Sequence, residues 1–266
     1  MKLFFSVFNT TSPNFSYFES SNELTSISWL KEYSNIIFPF VSQSITNKIQ
    51  GLNISGKETR TPFQMENEII AETISMIVSP IISKSTESRD LFEISKLLGC
   101  DNNFKFVSTN MYPLLIDDYK EITSELLYRK CFKENNFSGS TFAKYLTQGH
   151  LIILRGNLQN SSPVLENKIL EFSLKNVINN NKCPENLFYP DWNNPILGFK
   201  RMLVCSNSSC IYQLLQKLHK QLETLKFDET IKLPLSNVSS HIVDILSNSF
   251  ISLDSFISYF QKFKNF

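Results

Sequence analysis

The chain has 266 residues, enough for one large domain or two small ones and for a core that needs no disulfide or metal. Its 26 Lys and Arg nearly balance its 25 Asp and Glu, so the net charge of +1 lacks the general positive excess of polyanion-binding proteins. The seven glycines form no complete GxxxxGK[ST] or GxGxxG motif, which argues against a glycine-rich phosphate loop.

The cysteines and the N-terminus bear on compartment and cofactors. The five cysteines are odd in number and form no CxxC pair, so we expect neither a disulfide framework nor a thiolate zinc site. The apolar run Leu3–Phe8 is too short for a signal sequence or a membrane span. We therefore expect a cytoplasmic monomer with no metal, no cofactor, no membrane contact and no DNA partner.

The first 41 residues carry the pattern of a βαβ unit. Leu3–Phe8 has the length and composition of a strand, and Ser20-x-x-Glu23 resembles a capping box that opens a helix. Asn35–Val41 is apolar on both faces, as buried parallel strands are, although Pro39 cannot donate to a sheet. Strand, helix and strand in this order predict a parallel pair joined by a right-handed crossover.

Alternating elements continue along the chain. Pro80 is expected to end the first of the later helices, and residues 151–154 are consistent with either a strand or a helix continuation. The other segments are helices over 66–78, 117–132, 140–145, 166–178 and 211–225, and strands over 104–107 and 201–205. These elements predict one α/β domain over residues 1–226, followed by a short helical extension over 227–266.

Without reference to any family, the first βα junction is the most informative position for chemistry. Ser12 follows the first strand and precedes a proline, near the N-terminus of the first helix, where a hydroxyl nucleophile would face backbone N–H groups. An ordinary Ser-Pro turn explains the same residues. The scattered His150, His219 and His241 support neither a zinc site nor a Ser-His-Asp triad.

Several segments resemble a known family when they are taken in order. Ser12-Pro13 is followed by Tyr17-Phe18 and Trp29, and later come V-S-T-N-M-Y-P-L-L-I-D-D-Y, Y-R-K-C-F-K-E-N-N-F, N-K-I-L-E-F-S and N-L-F-Y-P-D-W. Together they resemble the cyclodipeptide synthases, whose catalytic domain is similar to that of class I aminoacyl-tRNA synthetases. The resemblance covers roughly residues 2–225 and implies a Rossmann-like, mostly parallel sheet with helices on both faces.

The resemblance also implies an activity and its residues. Ser12 would accept an aminoacyl group from aminoacyl-tRNA, Glu171 would bind the α-ammonium group, and Tyr189 would relay a proton as a diketopiperazine forms. No cofactor is needed because tRNA supplies the activated ester. The residues implied for substrate binding are Thr10, Asn14, Tyr119 and Asn167.

The chain departs from the family where tRNA should bind. The family's basic helix falls near residues 57–80. In this chain the charged residues of that window are four glutamates and two basic residues, whereas phosphate binding needs cations. The remaining candidates for tRNA contact are Arg129, Lys130, Lys133, Lys200 and Arg201, which are equally consistent with a solvated face. The alternative function is a non-catalytic member of the fold that binds a protein or a small ligand.

Overall fold

The architecture comes from a computed structural model, which describes residues 1–8, 17–52, 60–82, 90–101, 104–115, 122–155, 162–176, 187–188, 201–214 and 216. The strands are β1 (Leu3–Phe8), β2 (Ile36–Val41), β3 (Ser108–Tyr112), β4 (Thr147–Arg155), β5 (Leu187–Phe188) and β6 (Arg201–Ser208). The helices are α1 (Tyr17–Tyr33), α2 (Ser42–Gln50), α3 (Pro62–Ile82), α4 (Leu91–Leu97), α5 (Ser124–Tyr128) and α6 (Ser162–Asn176). A π-helical turn (Arg129–Lys133) continues α5, and 3-10 turns cover Phe142–Lys144 and Ser209–Ile211. The protein is therefore a mixed α/β protein.

The described strands form two hydrogen-bonded sheets that meet at one bridge. β1 pairs with β2 in parallel, and the second sheet has the order β3-β6-β4-β5. β6 is antiparallel to both of its neighbours, whereas β4 and β5 are parallel. A parallel bridge between Ile37 and Phe106 joins β2 to the chain just before β3. Five of the six described strands therefore run in one direction, and β6 opposes them.

The predicted βαβ unit is confirmed, with one correction at its helix. β1 and β2 pair in parallel over their full length, and all six residues of β2 are buried. The helix begins at Tyr17, so Ser20 and Glu23 lie inside it and do not form its capping box. The strand order also differs from a classic doubly wound sheet: β1 is the outermost described strand, whereas the first strand is central in that fold.

Pro39 is accommodated in β2 because of the direction in which its nitrogen points. The Ile37 N–H donates to the Lys105 carbonyl at 2.7 Å, and the Ile37 carbonyl accepts from the Val107 N–H at 2.8 Å. Alternate residues of a strand bond to the same side, so Pro39 also faces β3 and takes no N–H away from the ladder with β1. A proline at this position instead ends the pairing between β2 and β3.

Helices cover both faces of the sheet, as expected. Leu151 and Ile153 of β4 pack in the core beneath α2, α3 and α4. Ile152 and Leu154 point the other way, into the core beneath α5, the π-helical turn and α6. Strands buried on both faces carry continuous apolar runs, and such a short run does not by itself distinguish a strand from a helix, which is why the pattern over 151–154 was consistent with either.

Several predicted boundaries were wrong. α3 runs through Pro80 to Ile82, and the Ser79 hydroxyl donates at 2.9 Å to the Met76 carbonyl that the proline leaves without its usual N–H. The strand expected over 104–107 begins only at Ser108, and the helix expected over 140–145 is a single 3-10 turn. The segment 151–154 is strand. Most of the helix predicted over 211–225, and the whole C-terminal extension, lie outside the described residues.

Candidate functional site

A cleft opens where β2 and β3 separate. Beyond the bridge at Ile37, a loop residue fills the gap: the Val41 N–H donates to the Phe137 carbonyl, and the Phe137 N–H donates to the Thr109 carbonyl, both at 2.9 Å. The strands therefore splay toward their carboxyl ends. In open α/β sheets, ligands bind in crevices outside the carboxyl ends of the strands.

The cleft has a volume of about 610 Å³, which lies within the usual range for small-molecule sites. One wall is α2 and the turn after it, and the other is the π-helical turn and the loop that follows. The floor is the end of β3. The charged and apolar side chains that line it include Lys48, Leu52, Met111, Leu114, Lys130, Lys133 and Glu134.

Lys48 is the least expected group in this cleft. It is half-buried on α2, between the core residues Ile45 and Ile49, and its Nζ lies 5.8 Å from the centre of the Phe137 ring. Among the described residues, no carboxylate lies within ion-pair distance of this Nζ. Burial lowers the pKa of Lys48 to about 8, against the weaker, opposing effects of Cys131 and Glu134.

Two lysines predicted from the sequence line the opposite wall. Lys130 pairs with Glu134 at 2.9 Å, and its Nζ lies 5.8 Å from the centre of the Tyr112 ring. Lys133 is exposed at the end of the same turn. With Lys48, these give three cations and one carboxylate, Glu134, among the described lining residues, so this part of the cleft is positive although the whole chain is nearly neutral. Arg129 begins the turn and is exposed.

The π-helical turn that presents these lysines is held by a buried side chain. The Asn110 Nδ2 group donates to the carbonyl of Lys130 at 3.0 Å and to that of Cys131 at 2.9 Å. Widened helical turns displace carbonyls from the regular pattern, so an amide that binds two of them stabilises the turn. Single-turn π-helices occur frequently at functional sites, consistent with the position of this one at the cleft.

Arg201 corrects the prediction of an exposed tRNA-binding residue. Only 3% of its side chain is exposed, and it lies directly across from Arg155 in the pairing of β4 with β6. Oε1 of Glu72, on α3, accepts from both guanidinium groups, at 2.6 Å from Arg155 and 2.7 Å from Arg201. One acidic residue of α3 therefore neutralises part of a buried arginine pair.

Two other predicted site residues lie away from the cleft. Glu171 and Asn167 are exposed on α6, which covers the opposite face of the sheet. The pKa of Tyr128 is raised, first by burial and then by the charge of Glu171, so the two groups are neighbours. The remaining predicted residues lie outside the described part of the chain: Thr10, Ser12, Asn14, Tyr119, Tyr189 and Lys200.

Other polar groups of the described chain are structural. His150 and Ser173 are both buried and share a hydrogen bond of 3.0 Å, and burial lowers the pKa of His150 to about 4, which keeps the ring neutral. Burial also raises the pKa of the Cys131 thiol to about 12, so it supplies no thiolate at neutral pH. The described residues contain no group of His, Cys, Asp and Glu side chains suited to hold a metal ion.

Comparison with known proteins assigns no family. No protein-family model matches the sequence, and no curated protein matches it significantly. None of the described helices has both the length and the apolar character needed to cross a membrane.

Sequence reasoning missed Lys48 because it missed α2 altogether. The segment S-Q-S-I-T-N-K-I-Q has only two apolar residues, Ile45 and Ile49, and both are buried. Their four-residue spacing, directly after a buried strand, was the available signal for a short helix at the carboxyl edge of the sheet.

Proposed function

We propose that the chain is a cyclodipeptide synthase-like acyltransferase that uses two aminoacyl-tRNAs to form a diketopiperazine on a Rossmann-like fold. The proposal rests on one observation: the cleft lies at the edge of the sheet where the parallel strands end, and Ser12 follows the end of one of these strands in the sequence. β1, β2 and the chain that enters β3 run in the same direction. Ser12 follows the end of β1 in the sequence, and the lysine-lined cleft lies beyond the ends of β2 and β3.

In the proposed reaction, Ser12 Oγ attacks the ester carbonyl of the first aminoacyl-tRNA. The aminoacyl bond to the tRNA ribose breaks, the ribose oxygen takes the proton, and an acyl-serine ester forms. The amine of a second aminoacyl-tRNA then displaces Ser12 to give a dipeptidyl-tRNA. Ring closure by the free amine then releases the second tRNA, with Tyr189 relaying a proton. The ammonium-binding role that the resemblance implies for Glu171 is not part of this proposal, because Glu171 lies on α6, on the face of the sheet opposite the cleft.

The proposed tRNA contact is Arg129, Lys130 and Lys133. Arg129 and Lys133 are exposed, and Lys130 is half-buried at the cleft wall, so all three lie on one short segment that solvent can reach. Buried Arg201 is not part of this surface. Three phosphate contacts would give weak binding that falls steeply as salt increases.

The test is to incubate the full chain with charged tRNAs and to look for diketopiperazines by mass spectrometry. Ser12→Ala should abolish product and the acyl-enzyme, because it removes the oxygen that carries the acyl group. Ser26→Ala is the matched control: Ser26 is exposed on α1, where its hydroxyl donates to the Asn22 carbonyl, and activity should be unchanged. Product that persists in Ser12→Ala would rule out this nucleophile.

The second candidate is a non-catalytic binding module, and the acidic surface of α3 favours it. Where the family has a basic helix, Glu72 is held by Arg155 and Arg201, and Glu68 pairs with Arg60 at 3.3 Å. This candidate predicts no acyl-enzyme with any charged tRNA and no tRNA shift in a gel at low salt.

A further inference from the structure

Positively charged side chains outnumber carboxylates among the described residues that line the cleft. Among the described residues, Lys48, Lys130 and Lys133 line the cleft with one carboxylate, Glu134, which is already engaged by Lys130 at 2.9 Å. Two positive charges are therefore left without a described carboxylate partner in the cleft. A dianion matches this excess, whereas a single carboxylate would neutralise half of it.

Lys48 has no carboxylate partner among the described residues, so an anionic ligand would complete its charge pairing. An ammonium group that is half removed from water loses hydration, and such groups are normally paired with a carboxylate. The contact of its Nζ with the Phe137 ring, at 5.8 Å, replaces only part of that hydration. An anion in the cleft would supply the missing partner.

The cleft also offers an apolar surface. Leu52 and Leu114 line it together with Met111 at the end of β3. A volume of about 610 Å³ exceeds what a bare inorganic ion needs, so the ligand should have a body that packs on these side chains as well as a charged head.

We propose that this cleft binds a small phosphate monoester, with Lys48, Lys130 and Lys133 around the phosphate and the organic group against the apolar wall. Binding requires neither Ser12 nor tRNA, so it extends beyond the acyl-transfer reaction and is tested separately from it.

The proposal has a consequence for pH. The titratable groups close enough to act on Lys48 are Cys131, Glu134 and Lys130. Lys133 and Tyr112 also line the cleft. In the free protein the pKa of Lys48 is about 8. A bound dianion favours the ammonium form and returns this pKa toward its ordinary value, so binding takes up a proton above pH 8. Affinity should therefore fall as pH rises through 8, by about 20-fold between pH 7.5 and 9.5.

The experiment is calorimetric titration of the full chain, free of tRNA, with phenyl phosphate and with phenyl sulfate. The two probes share a phenyl ester body, but only the phosphate is a dianion above pH 7.5, because its second pKa is about 6. Phenyl phosphate should bind at least about tenfold more tightly than phenyl sulfate, because the site carries two uncompensated charges.

Three variants separate the charge of Lys48 from its packing. Lys48→Met should weaken phenyl phosphate binding by about 10- to 100-fold, the usual effect of losing one charge-assisted hydrogen bond. Lys48→Arg should retain binding and lose the pH dependence, since a guanidinium stays charged to pH 9.5. Lys96→Met, on the exposed face of α4 away from the cleft, should behave as the wild type.

Three results would overturn the proposal: no binding of phenyl phosphate, equal binding of both esters, or wild-type affinity constant from pH 7.5 to 9.5. Circular dichroism checks the fold of each variant. If Lys48→Met fails to fold, the comparison of the pH profiles of wild type and Lys48→Arg still decides the question.

Discussion

Glu72 illustrates how one side chain can make an otherwise unfavourable pairing possible. Arg155 and Arg201 are direct cross-strand partners on the same face of the sheet, an arrangement that is destabilising for like charges. Their side chains are almost fully buried, which lowers the pKa of both guanidinium groups while Glu72 opposes that effect. The acidic α3 therefore has a structural role that its charge pattern alone did not reveal.

The first residue-scale prediction concerns this carboxylate. Glu72→Gln should lower the free energy of unfolding by about 3 kcal/mol, because two buried cations lose their shared anion. This is the lower end of the range for a broken buried pair, since 30% of the Glu72 side chain is exposed. Urea denaturation measures the change.

The control lies on the same helix. Glu68 pairs with Arg60, and both side chains are about two-fifths exposed, so Glu68→Gln should change stability by less than about 0.5 kcal/mol. Equal losses in the two variants would contradict the structural role assigned to Glu72.

At the scale of elements, β4 passes close to the end of α4 at Gly149. Gly149 lies in β4 at a register shift, between Thr147 and the regular pairing with β6. A Cβ on Gly149 would overlap the Leu97 carbonyl oxygen and would lie 2.7 Å from the carbonyl carbon of Leu98. Backbone atoms cannot rotate away, so this approach requires glycine.

Gly149→Ala should therefore destabilise the protein by about 2–3 kcal/mol, through strain between β4 and the turn after α4. Gly51→Ala is the matched substitution: Gly51 ends α2 with a φ of −75°, and the nearest atom to its added Cβ would be 3.5 Å away. It should stabilise the protein by about 0.4–1 kcal/mol, since alanine restricts the unfolded chain. Denaturant midpoints that move together in the two variants would contradict this contrast.

At the scale of the whole molecule, the strand order decides which parts are most protected from solvent. β6 lies between β3 and β4, and all eight of its residues are buried. β1 pairs with β2 alone among the described strands, and five of its six residues are partly or fully exposed. The molecule therefore has a rigid centre at β6 and a described edge at β1.

Hydrogen–deuterium exchange followed by mass spectrometry should reproduce this gradient. Amides of 201–208 should exchange most slowly, because opening β6 breaks two strand ladders, and amides of 3–8 should exchange faster. The β4 peptide, which also lies between two strands, serves as the internal reference. Equal protection of β1 and β6 would indicate that another segment covers the outer side of β1.

How far the sequence predicted the fold depended on burial. The run Asn35–Val41 was recognised because a strand buried on both faces needs continuous apolar residues. The run Leu3–Phe8 was recognised from its length and composition, although five of its six residues are partly or fully exposed. Helices with mixed surfaces were placed less well: α2 was missed, and α3 was ended too early at Pro80, whose effect is offset by the Ser79 hydroxyl. A proline in the sequence indicates a helix end, but the sequence pattern does not show that a neighbouring hydroxyl replaces the lost hydrogen bond.

For the candidate site, too, the sequence predicted the surroundings of some residues and not of others. Lys130, Lys133 and Arg201 were all named as candidates for the tRNA contact that the resemblance implies, but Arg201 is buried against Glu72. A positive residue can face water or a carboxylate, and only the positions of neighbouring elements decide between the two. Ser12 and Tyr189 remain predictions.

The order of apolar runs and helical patterns by itself determined an α/β chain with buried strands, and the near-neutral total of 26 basic and 25 acidic residues argued against a general polyanion-binding surface. Tertiary structure alone decided where those charges lie. Pro39 ends the ladder between β2 and β3, Phe137 fills the gap, and Lys48 meets Lys130 and Lys133 across the opening. The physical reason is that net charge sums over the whole chain, whereas a ligand responds to the few charges that the fold brings within several ångströms of one another.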